Sequence, residues 1–96
     1  GGQRFERKGA VVNYELEIGA AANRDLHKLS HDVFVRVDKK IQKLKENPRP
    51  PGVIKLKGEG WRVRVGDWRV VYDIDDGAKK IWISRVRNRS EVYRKR

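Results

Sequence analysis

Apolar and polar residues alternate along two neighbouring stretches of the chain, Trp61–Val65 and Trp68–Tyr72. Because side chains alternate across a β-strand, this pattern predicts two half-buried strands. The intervening Gly66 and Asp67 suit a two-residue hairpin loop of type II′, which favours glycine at its first position. One face of the hairpin is then apolar and aromatic, whereas the other carries Arg62, Arg64, Arg69 and Val71.

The segment before the hairpin predicts one strand and two helices. Apolar residues that alternate with glutamates indicate a first strand over residues 12–18. Alanines from Ala20 onward favour a short first helix. Apolar residues at spacings of three and four then predict a second helix, which Ser30 or Asp32 caps and Asn47-Pro48 ends.

A last strand is predicted over residues 80–86, after the turn Asp75-Asp76-Gly77. The order β-α-α-β-β-β indicates an α+β domain. We therefore expect a small, mainly antiparallel four-stranded sheet with a two-helix hairpin packed on one face.

The pairing of the last two strands depends on the loop between them. A four-residue loop would pair Val70 with Ile83 and Arg69 with Ser84. This register leaves Trp82 on the face of the arginines.

The composition is strongly basic. The 96 residues contain 24 Lys and Arg against 13 Asp and Glu, a formal net charge of +11. This length suits one domain, and the charge indicates a nucleic acid or an acidic protein as partner. The absence of cysteine excludes disulfides and thiolate metal sites. No apolar run reaches the ~20 residues of a membrane span and no secretion signal is seen, so we expect a cytoplasmic protein.

We expect residues 1–11 to be a flexible N-terminal extension or the remnant of a tag. The chain contains no methionine and begins with Gly1-Gly2. Residues 12–96 then form the domain.

The arginine face of the hairpin has two interpretations. Arginines on a sheet surface are often solvated or paired with carboxylates. Here Arg64 faces Arg69, which destabilises a sheet, and these strands offer almost no acidic partners. An anionic ligand such as a phosphate backbone explains the arrangement better. More positive charge follows near the end of the last strand, at Arg85, Arg87, Arg89, Arg94, Lys95 and Arg96.

Aromatic residues near this charge are candidates for catalysis and for stacking. Nearby arginines favour the phenolate of Tyr93, so we expect a lowered pKa that suits a general base, although packing of the ring is the commoner role. Trp82 is a candidate stacking platform for a nucleobase, whereas Trp61 and Trp68 are expected in the core.

Several kinds of active site have no support in the sequence. His27 and His31 lack cysteines or paired acidic residues at metal-ligand spacing. The motifs of phosphate-binding loops, serine hydrolases and zinc proteases are missing. An enzyme that works with arginine, lysine and tyrosine suits RNA cleavage without metal or cofactor, in which the neighbouring 2′-OH attacks the phosphate.

Several motifs occur together in one order. They are a leucine-containing helical hairpin, Asn47-Pro48-Arg49-Pro50, Lys55-Leu56-Lys57-Gly58, Trp61–Tyr72 and Arg89-Ser90-Glu91-Val92-Tyr93. In this order and spacing they resemble the RelE/ParE toxin superfamily over residues 12–94. The resemblance implies a RelE-like toxin of a type II toxin–antitoxin system, with the β-α-α-β-β-β core already predicted.

The resemblance implies a ribosome-dependent mRNA endonuclease, or mRNA interferase, and assigns roles. Arg62, Arg64 and Arg69 would bind and neutralise the scissile phosphate. Arg87, with Arg89 as an alternative, would assist the leaving 5′-oxygen. Tyr93 would orient or deprotonate the 2′-OH. No metal is implied, and further RNA contacts are expected from Lys55, Lys57, Trp82, Arg85, Arg89 and Arg94.

Two departures from the family pattern bear on this mechanism. Some RelE relatives carry lysines where this chain has Arg62 and Arg64, and arginine stays charged and cannot accept a proton. Other nuclease relatives have a histidine just after the last strand, where this chain has Asn88. The first departure directs the role of base toward Tyr93, and the second removes an imidazole acid.

The resemblance also implies partners. A RelB-type antitoxin would wrap the toxin and cover the basic face, forming a hetero-oligomer with a toxin that is a monomer when alone. The 30S A site of the ribosome and its mRNA would be the target. Two other functions stay open: inhibition of DNA gyrase, as in the ParE branch, and binding of RNA or the ribosome without cleavage.

Overall fold

The computed structural model describes residues 13–58 and 60–88, which form one five-stranded sheet and two helices. The strand order is β1-β5-β4-β3-β2, and neighbours are antiparallel except that β1 runs parallel to β5. The predicted α+β class is confirmed, with the two-residue β2 as a fifth strand that the prediction lacked. The elements are β1 (Glu15–Ile18), α1 (Ala20–His27), α2 (His31–Leu44), β2 (Ile54–Lys55), β3 (Trp61–Val65), β4 (Trp68–Asp75) and β5 (Lys80–Asn88).

The helices cover the apolar face of the sheet. Helix α2 buries Val37, Ile41 and Leu44, as the spacing of its apolar residues predicts. Of the two candidate caps, Ser30 is the N-cap, and its hydroxyl accepts the N–H of Val33 at 3.4 Å. Neither helix in the described part of the chain is long and apolar enough to cross a membrane. The sheet contributes Val63, Val70, Tyr72, Ile81, Ile83 and Val86 to the core.

The β3–β4 hairpin has the predicted turn and register. Gly66 has a φ of 59°, and Asp67 has no positive φ, as a type II′ turn requires. Val65 pairs with Trp68, and the next pair along the strands places Arg64 opposite Arg69. The turn therefore fixes which side chains face away from the helices.

The predicted register of β4 with β5 is wrong. Val70 pairs with Val86 rather than with Ile83, and Arg69 pairs with Arg87 rather than with Ser84. One cause of the difference lies at the turn, where Asp75 pairs with Lys80. The other cause is a β-bulge beside Val71, where the register of the two strands shifts. The bulge has a physical reason: Ile83 and Val86 are three residues apart, and only an extra residue lets both point into the core.

The loop after α2 is fastened to the sheet at two points. The hydroxyl of Tyr72 donates to the carbonyl oxygen of Pro48 at 2.6 Å, and burial raises the pKa of Tyr72 to about 12. Arg49 pairs with Asp76 at 2.9 Å, and Tyr14 donates to the same carboxylate at 2.7 Å. These contacts join β1, the loop and the β4–β5 turn.

Candidate functional site

Four arginines form adjacent rows on the sheet face that points away from the helices. Arg64, Arg69 and Arg87 are cross-strand neighbours on β3, β4 and β5. Arg62 lies in the next row, opposite Val71. We call Arg62, Arg64, Arg69 and Arg87 the arginine patch. The structure thus brings together all of the predicted catalytic arginines.

Arg69 is the most unusual member of the arginine patch. It is 5% exposed, which makes it the one buried charged residue in the described part of the chain. Its guanidinium donates to the carbonyl oxygens of Gly66 at 3.3 Å and Trp68 at 3.2 Å, and no described carboxylate pairs with it. A buried charge is normally balanced by an opposite charge. An anion bound at this patch would supply that balance.

The two arginines of β3, Arg62 and Arg64, also have no counter-ion in the described part of the chain. Arg64 is exposed and Arg62 is half-buried, and neither has an ion-pair or hydrogen-bond partner among residues 13–58 and 60–88. Arg64 stands directly opposite Arg69, where like charges repel. Arg62, Arg64 and Arg69 therefore concentrate positive charge that no carboxylate of the described residues neutralises.

Arg85 has a different environment from the arginine patch. Its Nε lies 2.8 Å from a carboxylate oxygen of Asp25 on α1, and the N–H of Val86 donates to the same oxygen at 2.9 Å. Desolvation raises the pKa of Asp25, but the hydrogen bonds from Arg85 and Val86 outweigh it and hold the pKa below its usual value. This pair fastens α1 to the edge of β5, a partnership that the sequence analysis missed.

Trp82 lies on the same sheet face as the arginine patch, as predicted. It is 43% exposed and stands between Glu17 on β1 and Asp73 on β4. The row beyond it holds Glu15, Lys80 and Asp75. Four carboxylates therefore share the face of the arginines, contrary to the expectation of almost no acidic residues near them.

The predicted RNA-binding lysines are not part of the arginine patch. Lys55 pairs with Trp61 across β2 and β3, and its ammonium lies 5.6 Å from the Trp61 ring centroid. Trp61 packs against the core, so Lys55 belongs to the opposite side of the sheet. Lys57 is exposed after β2.

Three of the predicted site residues, Arg89, Tyr93 and Arg94, lie outside the described residues. Among those described, no three His, Cys, Asp or Glu side chains are grouped to hold a metal ion. The described arrangement can bind phosphate by charge and by guanidinium hydrogen bonds.

Comparison with known proteins identifies the family to which this sequence is similar. The ParE toxin family of type II toxin–antitoxin systems (parDE) matches residues 16–93. Toxin RelE of Mycobacterium tuberculosis is 37% identical over 84 residues, which span 84% of this chain and 87% of that protein.

Two solved structures share the fold. The toxin–antitoxin complex RelBE2 of Mycobacterium tuberculosis matches with a TM-score of 0.74 and 29% identity, over 84% of this chain and 97% of the matched chain. The archaeal RelE–RelB complex of Pyrococcus horikoshii matches with a TM-score of 0.73 and 28% identity, over 80% of this chain and 96% of the matched chain. Both similarities cover at least four fifths of this chain.

Proposed function

The chain belongs to the RelE/ParE superfamily of type II toxin–antitoxin toxins, and from this premise we propose that it is a ribosome-dependent mRNA endonuclease. The observation that supports this proposal is Arg69, a buried guanidinium without a described carboxylate partner, placed in register with Arg64 and Arg87. Such an arrangement suits a phosphate whose negative charge grows during cleavage.

The proposed reaction needs no metal. The 2′-oxygen attacks the adjacent phosphorus and its proton passes to a base, while the bond from phosphorus to the 5′-oxygen breaks and that oxygen gains a proton. The products are a 2′,3′-cyclic phosphate and a 5′-hydroxyl. Arg62, Arg64 and Arg69 hold and neutralise the phosphate, and Arg87 stabilises the leaving oxygen.

Tyr93 is the proposed base, because arginines cannot accept a proton at neutral pH. Arg89 and Arg94 are close to Tyr93 in the sequence, and guanidinium groups beside a tyrosine favour its phenolate, which suits the role of base. Tyr93 and the arginine patch together supply the base and the positive charge that the reaction requires.

A translating extract tests this function directly. Primer extension on a defined message should show cuts with ribosomes present, no cuts without them, and no effect of EDTA added after complexes form. Tyr93→Phe and Arg69→Gln should abolish the cuts while the variants stay folded. A fully active Tyr93→Phe protein would remove tyrosine from the mechanism, and a message that is never cut would reject the nuclease.

We propose a RelB-type antitoxin as the partner in the cytoplasm. The two solved relatives are toxins in complexes with RelB-type antitoxins. A net charge of +11 attracts an acidic segment of such a partner. Charge reversal at Arg62 and Arg64 should weaken the complex if the antitoxin covers the arginine patch, and unchanged affinity would exclude that docking site.

The family match also favours a second candidate, inhibition of DNA gyrase, since the matching family is that of ParE toxins. A supercoiling assay distinguishes the two functions. Inhibited supercoiling together with intact messages would support the gyrase function and would make the arginine patch a binding surface.

A further inference from the structure

The sheet face of the arginine patch changes sign along its strands. The arginines occupy the end near the β3–β4 turn, while Glu15, Glu17, Asp73 and Asp75 occupy the other end. Lys80 is the one cation among these carboxylates in the described part of the face, and it pairs with Glu17 at 3.1 Å. A phosphate chain is attracted by one half of this face and repelled by the other.

Trp82 lies where the two halves meet. Its indole leans over Gly19, where a Cβ would stand 3.1 Å from Nε1 and 3.4 Å from Cε2. A side chain at residue 19 would therefore displace the ring. The indole is positioned by this contact and still 43% exposed, so its stacking surface is available at a small cost in side-chain entropy.

Of the two carboxylates beside Trp82, that of Asp73 has no partner among the described residues. Neither an ion pair nor a hydrogen bond to its side chain exists among residues 13–58 and 60–88, whereas Glu17 is engaged with Lys80. Asp73 is also the diagonal neighbour of Arg62, since Arg62 pairs with Val71 on the same strand. Diagonal neighbours are about 7–8 Å apart, so the two side chains are close enough to contact one nucleotide together.

We propose that Trp82 and Asp73 form a nucleobase subsite that favours bases with an exocyclic amino group. The base stacks on the indole, its amino group donates to the Asp73 carboxylate, and the arginine patch holds the neighbouring phosphate. The inference rests on the proposed function as an RNA-binding toxin and extends it to base selectivity.

The charge pattern of the face supports binding of the base at the acidic end and of the phosphate at the arginine patch. Carboxylates repel a phosphate but accept hydrogen bonds from the amino groups of adenine, cytosine and guanine. Uracil has no amino group, and its one donor on this edge, N3–H, lies between two carbonyl oxygens that the carboxylate repels. Every base can stack on an indole, so Trp82 contributes affinity for all four bases, and Asp73 determines the selectivity among them.

Binding of short RNA to the full chain tests the subsite. The probes are fluorescent single-stranded pentamers with 2′-O-methyl groups, which prevent cleavage, and with A, C, G or U throughout. At low salt we expect the uridine pentamer to bind about fivefold to tenfold more weakly than the pentamers with amino groups, a factor within the range of one hydrogen-bonded base contact.

Three variants separate the roles. Trp82→Ala should weaken binding of all four pentamers about fivefold or more. Asp73→Asn removes one negative charge, so it should strengthen binding of all the pentamers and at the same time reduce the discrimination against uridine. Glu15→Gln removes the same charge from the same face one row further away, and it should strengthen binding while the discrimination stays.

The outcomes distinguish the subsite from the proposed function. Equal binding of all four pentamers, or equal discrimination in the Asp73→Asn and Glu15→Gln proteins, would overturn the subsite and leave an RNA-binding face. No binding of any pentamer at low salt would overturn the subsite and RNA binding by the arginine patch together.

Discussion

Arg69 and Arg85 lie on neighbouring strands of one sheet, yet their guanidinium groups have different kinds of partner. The guanidinium of Arg85 is paired with Asp25, whereas that of Arg69 is buried against carbonyl oxygens without a described carboxylate. Arg49 is like Arg85 in having a carboxylate partner, since it pairs with Asp76. Arg49 and Arg85, which fasten elements together, thus have carboxylate partners, whereas Arg62, Arg64 and Arg69 have none among the described residues, so their charge is available to a ligand.

The largest expected effect is on activity, through Arg69. Arg69→Gln keeps a donor for the carbonyl oxygens but removes the charge, so message cleavage should fall about 10²–10³-fold with little change in thermal stability. Arg49→Gln is the matched control, because it removes a paired arginine and should leave cleavage nearly unchanged. Equal losses of activity in both proteins would erase the distinction between the two groups of arginines.

The next effect is on stability, through Asp25. Asp25→Ala leaves the N–H of Val86 and the guanidinium of Arg85 without their acceptor, so urea denaturation should show a loss of about 1–3 kcal/mol in the free energy of unfolding. As a control, alanine at the exposed Glu46, Glu46→Ala, should change it by less than about 0.5 kcal/mol. If Asp25→Ala were as stable as the control, the pair would not be holding α1 to β5.

A smaller effect of opposite sign is expected at Arg64. Arg64→Gln relieves the repulsion with Arg69, so unfolding should require about 0.2–1 kcal/mol more free energy. The same change removes one phosphate contact, which should weaken RNA binding and reduce the salt slope for single strands by about 0.7. A variant that loses stability instead would show that Arg64 has a structural role.

The smallest effect concerns acid stability through Asp76. Hydrogen bonds from Arg49 and Tyr14 lower the pKa of Asp76 to about 2. A carboxyl whose pKa is lower in the folded state stabilises the fold above its unfolded pKa of about 3.9, and this contribution is lost as the pH falls toward 2. Denaturation curves of Asp76→Asn should therefore depend less on pH between about 4 and 2 than those of the wild type. Parallel curves would contradict the pairing.

The parts of the fold that could be predicted depend on local patterns. The Gly66-Asp67 turn fixes the β3–β4 register, and the spacing of Val37, Ile41 and Leu44 fixes the buried side of α2, because both signals lie within a few residues. The short β2 was missed although Ile54 and Leu56 alternate with Lys55 and Lys57, because only two residues of this run pair with β3.

The parts that failed depend on distant residues or on an irregular strand. Asp25 and Arg85 are 60 residues apart, and nothing near either residue indicates its partner. The bulge in β5 did leave a signal, since Ile83 and Val86 break the two-residue period of buried positions. Reading that break would have moved Arg87 opposite Arg69 and placed the fourth arginine correctly.

The position of β5 in the sheet has a consequence for how the protein is made. It is the last described strand in chain order, yet it lies between β1 and β4. During synthesis the β3–β4 hairpin can form early because its contacts are local, whereas the sheet must wait for β5 to insert. Arg87 and Trp82 arrive with that strand. A nascent chain therefore carries only part of the proposed site until β5 has been synthesised and has inserted between β1 and β4.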